Sequence, residues 1–214
     1  MASAVDICNL ALAHIGDAAS VASIDPPETS VQASACARFY PIVRDLVLEA
    51  HAWSFATKRV ALAEETNTLD AWRYAYGAPA NMIRPLSVLM PNSPDDAATQ
   101  PYVREALADG SIGIFTNVEQ ATLRYTDRIT DTTKFTPGFV VAVSWLLAHY
   151  LSGPVLRSKA TDALKKTTLQ QYAIALAQAS AADGNARKTD TYRNFTPSHL
   201  AVRDFQRDES WPIR

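Results

Sequence analysis

The residues able to do chemistry are few and scattered. The four histidines, His14, His51, His149 and His199, include no H-x-x-x-H or H-E-x-x-H pair. None therefore shares a helix face with a second ligand, as a zinc site of that type requires. His14, His51 and His149 each fall near the expected end of a helix, where the dipole favours a positive imidazole. Cys8 and Cys36 sit among alanines and apolar residues in helix-like stretches, without C-x-x-C or Cys/His ligand spacing. They read as buried free thiols, with a disulfide between them left open, and they suit a reducing compartment. No G-x-S-x-G turn offers a serine nucleophile. Asp109-Gly110-Ser111-Ile112-Gly113 lacks the Lys-Ser/Thr ending of a phosphate loop and does not open a helix. The acids Glu64, Glu65, Asp70, Asp95, Asp96 and Glu105 lie at strand ends or in loops, where solvated charges belong. Glycoside hydrolysis would need two of them facing across a cleft, one with a raised pKa. The sequence thus offers no catalytic residue, no metal ligand set and no cofactor site.

The elements that would position such groups are clearer. With 214 residues, 48% apolar and 20% charged, the chain suits one domain, or one domain carrying a long insertion. A net charge of −2 gives no basic excess of the kind nucleic-acid-binding domains show. Arg157, Lys159, Lys165 and Lys166, extended by Arg187 and Lys188, read as a solvated helix face, although contact with a DNA backbone needs only such scattered charge. Met1 to Leu12 lacks the basic leader of a signal peptide, and the apolar run Phe139 to Leu151 is too short to span a bilayer. These features lead us to expect a soluble protein made in the cytoplasm.

Helical spacing of Val5, Cys8, Leu12 and Ile15 predicts a first helix over 4–14, stopped by Gly16. Asp25-Pro26-Pro27 forbids helix in the following linker. A second helix, capped by Thr29 or Ser30, runs to Ala50 on a face of Cys36, Phe39, Tyr40, Val43, Val47 and Ala50, with Pro41 as a kink. From 58 to 128, short alternating segments separated by turn formers predict an antiparallel sheet of hairpins. Asp109-Gly110 reads as a type I′ turn. A third helix begins at Pro137 and ends before Gly153-Pro154. A fourth runs over 159–182 with Leu164, Thr168, Tyr172, Leu176 and Ala179 as its stripe, and Asp183-Gly184-Asn185 as its stop. After Asn185 the apolar rhythm collapses, leaving isolated bulky residues in a polar segment that reads as an arm ordering on a partner. The expected fold is mainly α with an antiparallel β insertion (α+β): 1–57 and 129–184 form a four-helix bundle, 58–128 project from it as a hairpin sheet, and 185–214 form an extended arm.

Several segments together resemble a known family. Asp6-Ile7-Cys8-Asn9-Leu10-Ala11-Leu12-Ala13-His14-Ile15-Gly16 is similar to the opening helix of podovirus head-to-tail adaptors, also called tail tubular protein A. The linker Ile24-Asp25…Pro27-Glu28-Thr29 is similar too, as are Leu48 to Ala56 and Lys58 to Ala63. Asp109-Gly110…Ile114 to Asn117 resembles the family's central hairpin, and Leu123-Arg124-Tyr125 with Phe135 to Phe139 its return to the helices. Alanine at position 52, Pro41 and the segment after Asn185 depart from the pattern.

The resemblance implies a structural phage virion protein and not an enzyme. It implies a ring, usually a dodecamer, that joins the portal to the tail nozzle and continues the channel through which genomic DNA passes without sequence recognition. It places the protein at the virion's head–tail junction, away from any membrane. In such a ring Trp53 and Phe55 would anchor the helix-to-sheet junction. Phe195, Phe205 and Trp211 would seat in portal pockets, with Arg193, Arg203 and Arg207 at the rim. The alternative is a peptidoglycan-degrading hydrolase associated with the phage tail, drawing on the acids named above.

Overall fold

Ser3 opens the first helix by a reciprocal cap. Its hydroxyl accepts from the Asp6 N–H at 3.1 Å, and the Asp6 carboxylate accepts from the Ser3 N–H at 2.8 Å. The structure, a computed structural model, describes residues 2–67, 69–93, 98–157 and 161–186. Helix α1 spans Ala4–His14 and ends at Gly16, which takes φ +76°. Its buried residues are Ile7, Cys8, Ala11 and Leu12; Val5, expected among them, is only half-buried.

Helix α2 spans Val31–Ala50 with Ser30 as its cap, the hydroxyl accepting from the Ala33 N–H. Pro41 lies inside it, on the exposed side. One expectation fails here, since Ala50 is exposed; Arg44, by contrast, is buried. Arg44 is tolerated because its guanidinium donates twice to one Asp45 oxygen, at 2.9 and 2.8 Å, while Arg128 Nε reaches the other at 3.0 Å.

Helix α3 spans Pro137–Leu156 and α4 spans Asp162–Ala186. Both outrun the sequence reading. Gly153-Pro154 does not end α3, since Val155 and Leu156 pack on the core and hold one more turn. Its 20 residues now meet the length needed to cross a membrane, and half of its most apolar window is buried inside the protein. Its apolarity follows from its place, because α1, α2 and α4 all pack on it. Asp183-Gly184-Asn185 does not end α4, because Asp183 is held as described below.

The β region comprises β1 (Thr57–Ala61), β2 (Glu64–Glu65), β3 (Tyr74–Gly77), β4 (Met82–Leu89), β5 (Tyr102–Ala106), β6 (Ile112–Thr116) and β7 (Thr122–Asp127). They form two antiparallel sheets, ordered β1-β7-β4 and β2-β3-β6-β5, where one had been expected. The returning strand β7 inserts between β1 and β4, a long-range pairing that local turn signals do not encode. Met82, Val88, Leu123 and Tyr125 from the first sheet meet Tyr76 and Ile114 from the second in a shared apolar cluster. The turn at Asp109-Gly110 is not type I′. Only Gly110 has positive φ (+83°), its N–H bonds to the Leu107 carbonyl, and the Asp109 carboxylate accepts from the Ser111 N–H and hydroxyl. That is a type I turn followed by a left-handed glycine.

The chain is therefore mixed α+β, with four helices and two antiparallel sheets among the described residues. The larger core cluster draws on α1, α2, α3, α4 and the Trp53–Ala56 segment.

Candidate functional site

Chemistry-bearing side chains converge at the passage from α2 into β1. Trp53 is fully buried, and its indole N–H donates to the Val47 carbonyl at 2.8 Å. It stands edge-on to Phe139 at 5.2 Å and lies 6.0 Å from Phe55. Phe55 is half-buried and packs on Phe135 and Phe139.

Beside this aromatic group lie Ser54, His51 and Asp183, a serine, a histidine and an acid. Their wiring is not that of an activated nucleophile. The buried Asp183 carboxylate sits at the centre and accepts from the Ser54 N–H at 3.0 and 3.1 Å and from the Ser54 hydroxyl. His51 Nε2 approaches its other oxygen at 3.3 Å. An activated serine sends its proton to the imidazole and leaves the acid to orient the ring. Here serine and histidine both donate to the acid, which pins α4 to the start of the β region. No local signal announces this link, because Asp183 read as part of a helix stop.

His14 lies flat on Trp145, with ring centroids 3.7 Å apart and planes 7° apart. Its Nε2 is 3.1 Å from the Ser144 hydroxyl, whose own proton goes to the Val141 carbonyl. Nε2 is thus the donor. Burial holds the His14 pKa below the usual histidine value, the reverse of the dipole expectation. Since the folded pKa is depressed, the associated stability is complete above about pH 6.5 and is lost as pH falls through the folded value. The thermal midpoint should therefore drop between pH 7 and pH 5, and His14→Gln should remove part of that slope. An identical slope in the variant would assign the effect elsewhere.

His149 lies within α3, away from its end, with Nδ1 3.2 Å from the Lys165 carbonyl of α4. Cys8 and Cys36 are free, buried and hydrogen-bonded to each other. That bond and burial push the Cys8 thiol up, so it stays protonated. Among the described residues the Tyr40 hydroxyl has no hydrogen-bond partner, and burial pushes its pKa up to about 12. Tyr40 lines a cleft of about 470 Å³ with Ala4, Ile24, Asp25 and Arg44.

Glu64 and Glu65 on β2 and Glu105 on β5 occupy opposite edges of the second sheet. Three strand spacings separate them, roughly 14 Å, beyond the roughly 6.5–9.5 Å of an inverting pair. Asp70 is exposed. Asp95 and Asp96 lie outside the described residues. Among the described residues, no three His, Cys, Asp or Glu side chains gather as a metal site requires. Arg193, Phe195, Arg203, Phe205, Arg207 and Trp211 all lie outside the described residues, as do His199, Lys159, Arg187 and Lys188. Lys165 and Lys166 are exposed on α4.

The remaining surface of note is apolar. On the outer side of α2, Val31, Ile42 and Leu46 are exposed, Ile42 by 50%. On α4, Leu169 and Ile174 are exposed, Ile174 also by 50%. Helix α4 lies so close to α3 that a Cβ at Gly138 would fall 2.9 Å from the Ala179 Cβ and 3.2 Å from its Cα. Gly138→Val should cost about 1–3 kcal/mol by forcing the helices apart; an unchanged urea midpoint would show that α4 can yield freely. A scan of protein-family models finds none that matches the chain, and no curated protein matches it either.

Proposed function

We propose that this chain is a structural virion protein, a head-to-tail adaptor whose copies form a ring between phage portal and tail nozzle. In this reading the ring is a dodecamer, the four helices act as a bundle, and the β region 58–128 projects toward a neighbour or the nozzle. Residues 185–214 form the arm that seats on the portal, with Phe195, Phe205 and Trp211 as anchors and Arg193, Arg203 and Arg207 at the rim. Genomic DNA crosses the lumen without being read. The protein is made in the host cytoplasm and ends at the virion's head–tail junction, and it turns over no substrate.

The observation that carries the reading is that unlike apolar surfaces lie open on two helices, the row Val31, Ile42 and Leu46 along α2 and, on opposite flanks of α4, Leu169 and Ile174. Two different patches that meet between copies make a head-to-tail contact, which closes into a ring when the rotation fits. A protein built to turn over substrate would spend its polar groups on a cleft. Here Ser54 and His51 are consumed in holding the buried Asp183, which joins elements.

Electron microscopy of the chain mixed with portal rings tests the proposal. A collar of copies beneath the portal is expected. Ile42→Glu and Ile174→Glu should each leave the thermal midpoint nearly unchanged, as surface substitutions do, yet abolish the collar. A chain ending at Asn185 should fold but not dock. Truncated protein that still co-sediments with portal would refute the arm. Full-length protein that stays monomeric beside portal would refute the whole reading.

A further inference from the structure

Helix α2 carries two charges that its own chain does not answer. Arg38 and Glu49 are both exposed, and among the described residues neither side chain has an ion pair or a hydrogen bond. Neither finds an opposite charge three or four positions along the helix, the spacing at which such pairs meet. Between them lie Ile42 and Leu46, exposed by 50% and 39%. At 3.6 residues per turn the four side chains fall within about 80° of arc. They form one row, positive at one end, apolar in the middle and negative at the other. Arg38 and Glu49 stand about 16 Å apart along the axis, too far to meet within one copy.

A row in this order is complementary to itself when reversed. Let a second α2 lie antiparallel, about a two-fold axis level with residue 44, midway between Ile42 and Leu46. Ile42 of each copy then stands opposite Leu46 of the other. The same placement sets Arg38 of each copy within about 1.5 Å, along the axis, of the level of Glu49 in the other. Every contact occurs twice, as an isologous interface requires. A parallel, in-register pairing would instead set arginine beside arginine. Asp45 borders the row near the two-fold and would approach its own counterpart. Its carboxylate is already held by Arg44 and Arg128, so the two acids approach as compensated groups.

We propose that free chains pair through α2 as an antiparallel two-fold dimer, with Ile42 and Leu46 at its centre and Arg38–Glu49 pairs at both ends. One helix from each side makes a small interface, below the roughly 1,200 Å² of lasting complexes, so the dimer is weak and reversible. The pairing goes beyond the adaptor reading and does not need it, since no portal takes part. In that reading the dimer is a storage form. It must separate before α2 meets α4 of a neighbour, because both contacts use Ile42 and Leu46.

Sedimentation velocity of the full chain alone, from about 10 to about 500 μM, tests the pairing. The wild type should pass from monomer to dimer across that range and form nothing larger. Ile42→Glu should stay monomeric. Arg38→Glu turns two attractive pairs into two repulsive ones and should weaken the dimer about tenfold or more. Adding Glu49→Arg to it restores opposite charges at both ends and should recover the affinity. All three positions are exposed, so the variants should keep their fold, which circular dichroism checks. A wild type that stays monomeric throughout overturns the proposal by itself. So does a folded double variant no tighter than Arg38→Glu, or association that grows past the dimer, since either gives this face to another partner such as α4. Failure of the ring reading shows separately, in the collar assay with portal.

Discussion

Trp53→Ala is expected to lower unfolding free energy by about 3–5 kcal/mol, the cost of emptying a large aromatic site in a packed core. Two losses add here. The ring is fully enclosed and touches Phe139, Phe55 and His51. Its N–H also serves the Val47 carbonyl, one of the last four of α2, which have no partner within their own helix. Trp53→Phe separates the two, since it keeps most of the ring volume and strands the carbonyl. It should cost clearly less than alanine and more than a neutral change. Urea melts of the three proteins check this, and equal midpoints for wild type and alanine would remove Trp53 from the core.

The second large effect belongs to Asp183. Asp183→Ala removes the acceptor for the Ser54 N–H, the Ser54 hydroxyl and His51 together. Bonds to a charged acceptor contribute about 1.5–3 kcal/mol each. They are not additive, because they share one carboxylate, so about 2–4 kcal/mol is the expected total. His51→Ala should cost far less, as His51 is half-exposed and its contact is the longest of the set. Amide exchange should localise the Asp183 defect to the last turns of α4 and to residues 54–56. A uniform loss of protection instead would show that the link matters to the whole fold.

The sequence carried the helices well, because their signals are local. Ser30 caps, Gly16 stops, and Pro137 starts a helix by chemistry confined to a few neighbours. It failed where distant contacts outweigh local ones. Gly153-Pro154 and Asp183-Gly184-Asn185 are stop signals overridden by packing of Val155 and Leu156 and by the hold on Asp183. Alternation revealed most strands but not that β7 would lie between β1 and β4, nor that the strands would divide into two sheets. The short strand β2 was missed, since Glu64 and Glu65 are both exposed and leave no burial pattern. Trp53 is fully buried where α2 passes into β1. The junction's acid could not have been read, because its partners are about 130 positions away in sequence (129 for Ser54, 132 for His51).

The pairing of Thr57 with Thr126 has a consequence for how this gene product can be remodelled. Seventy residues of excursion depart and come home through a doorway one strand spacing wide, about 5 Å. A two-residue splice would bridge that gap, so the whole excursion is removable cargo in geometric terms. Lineages could lengthen, shrink or exchange it while the helices beneath keep their seats.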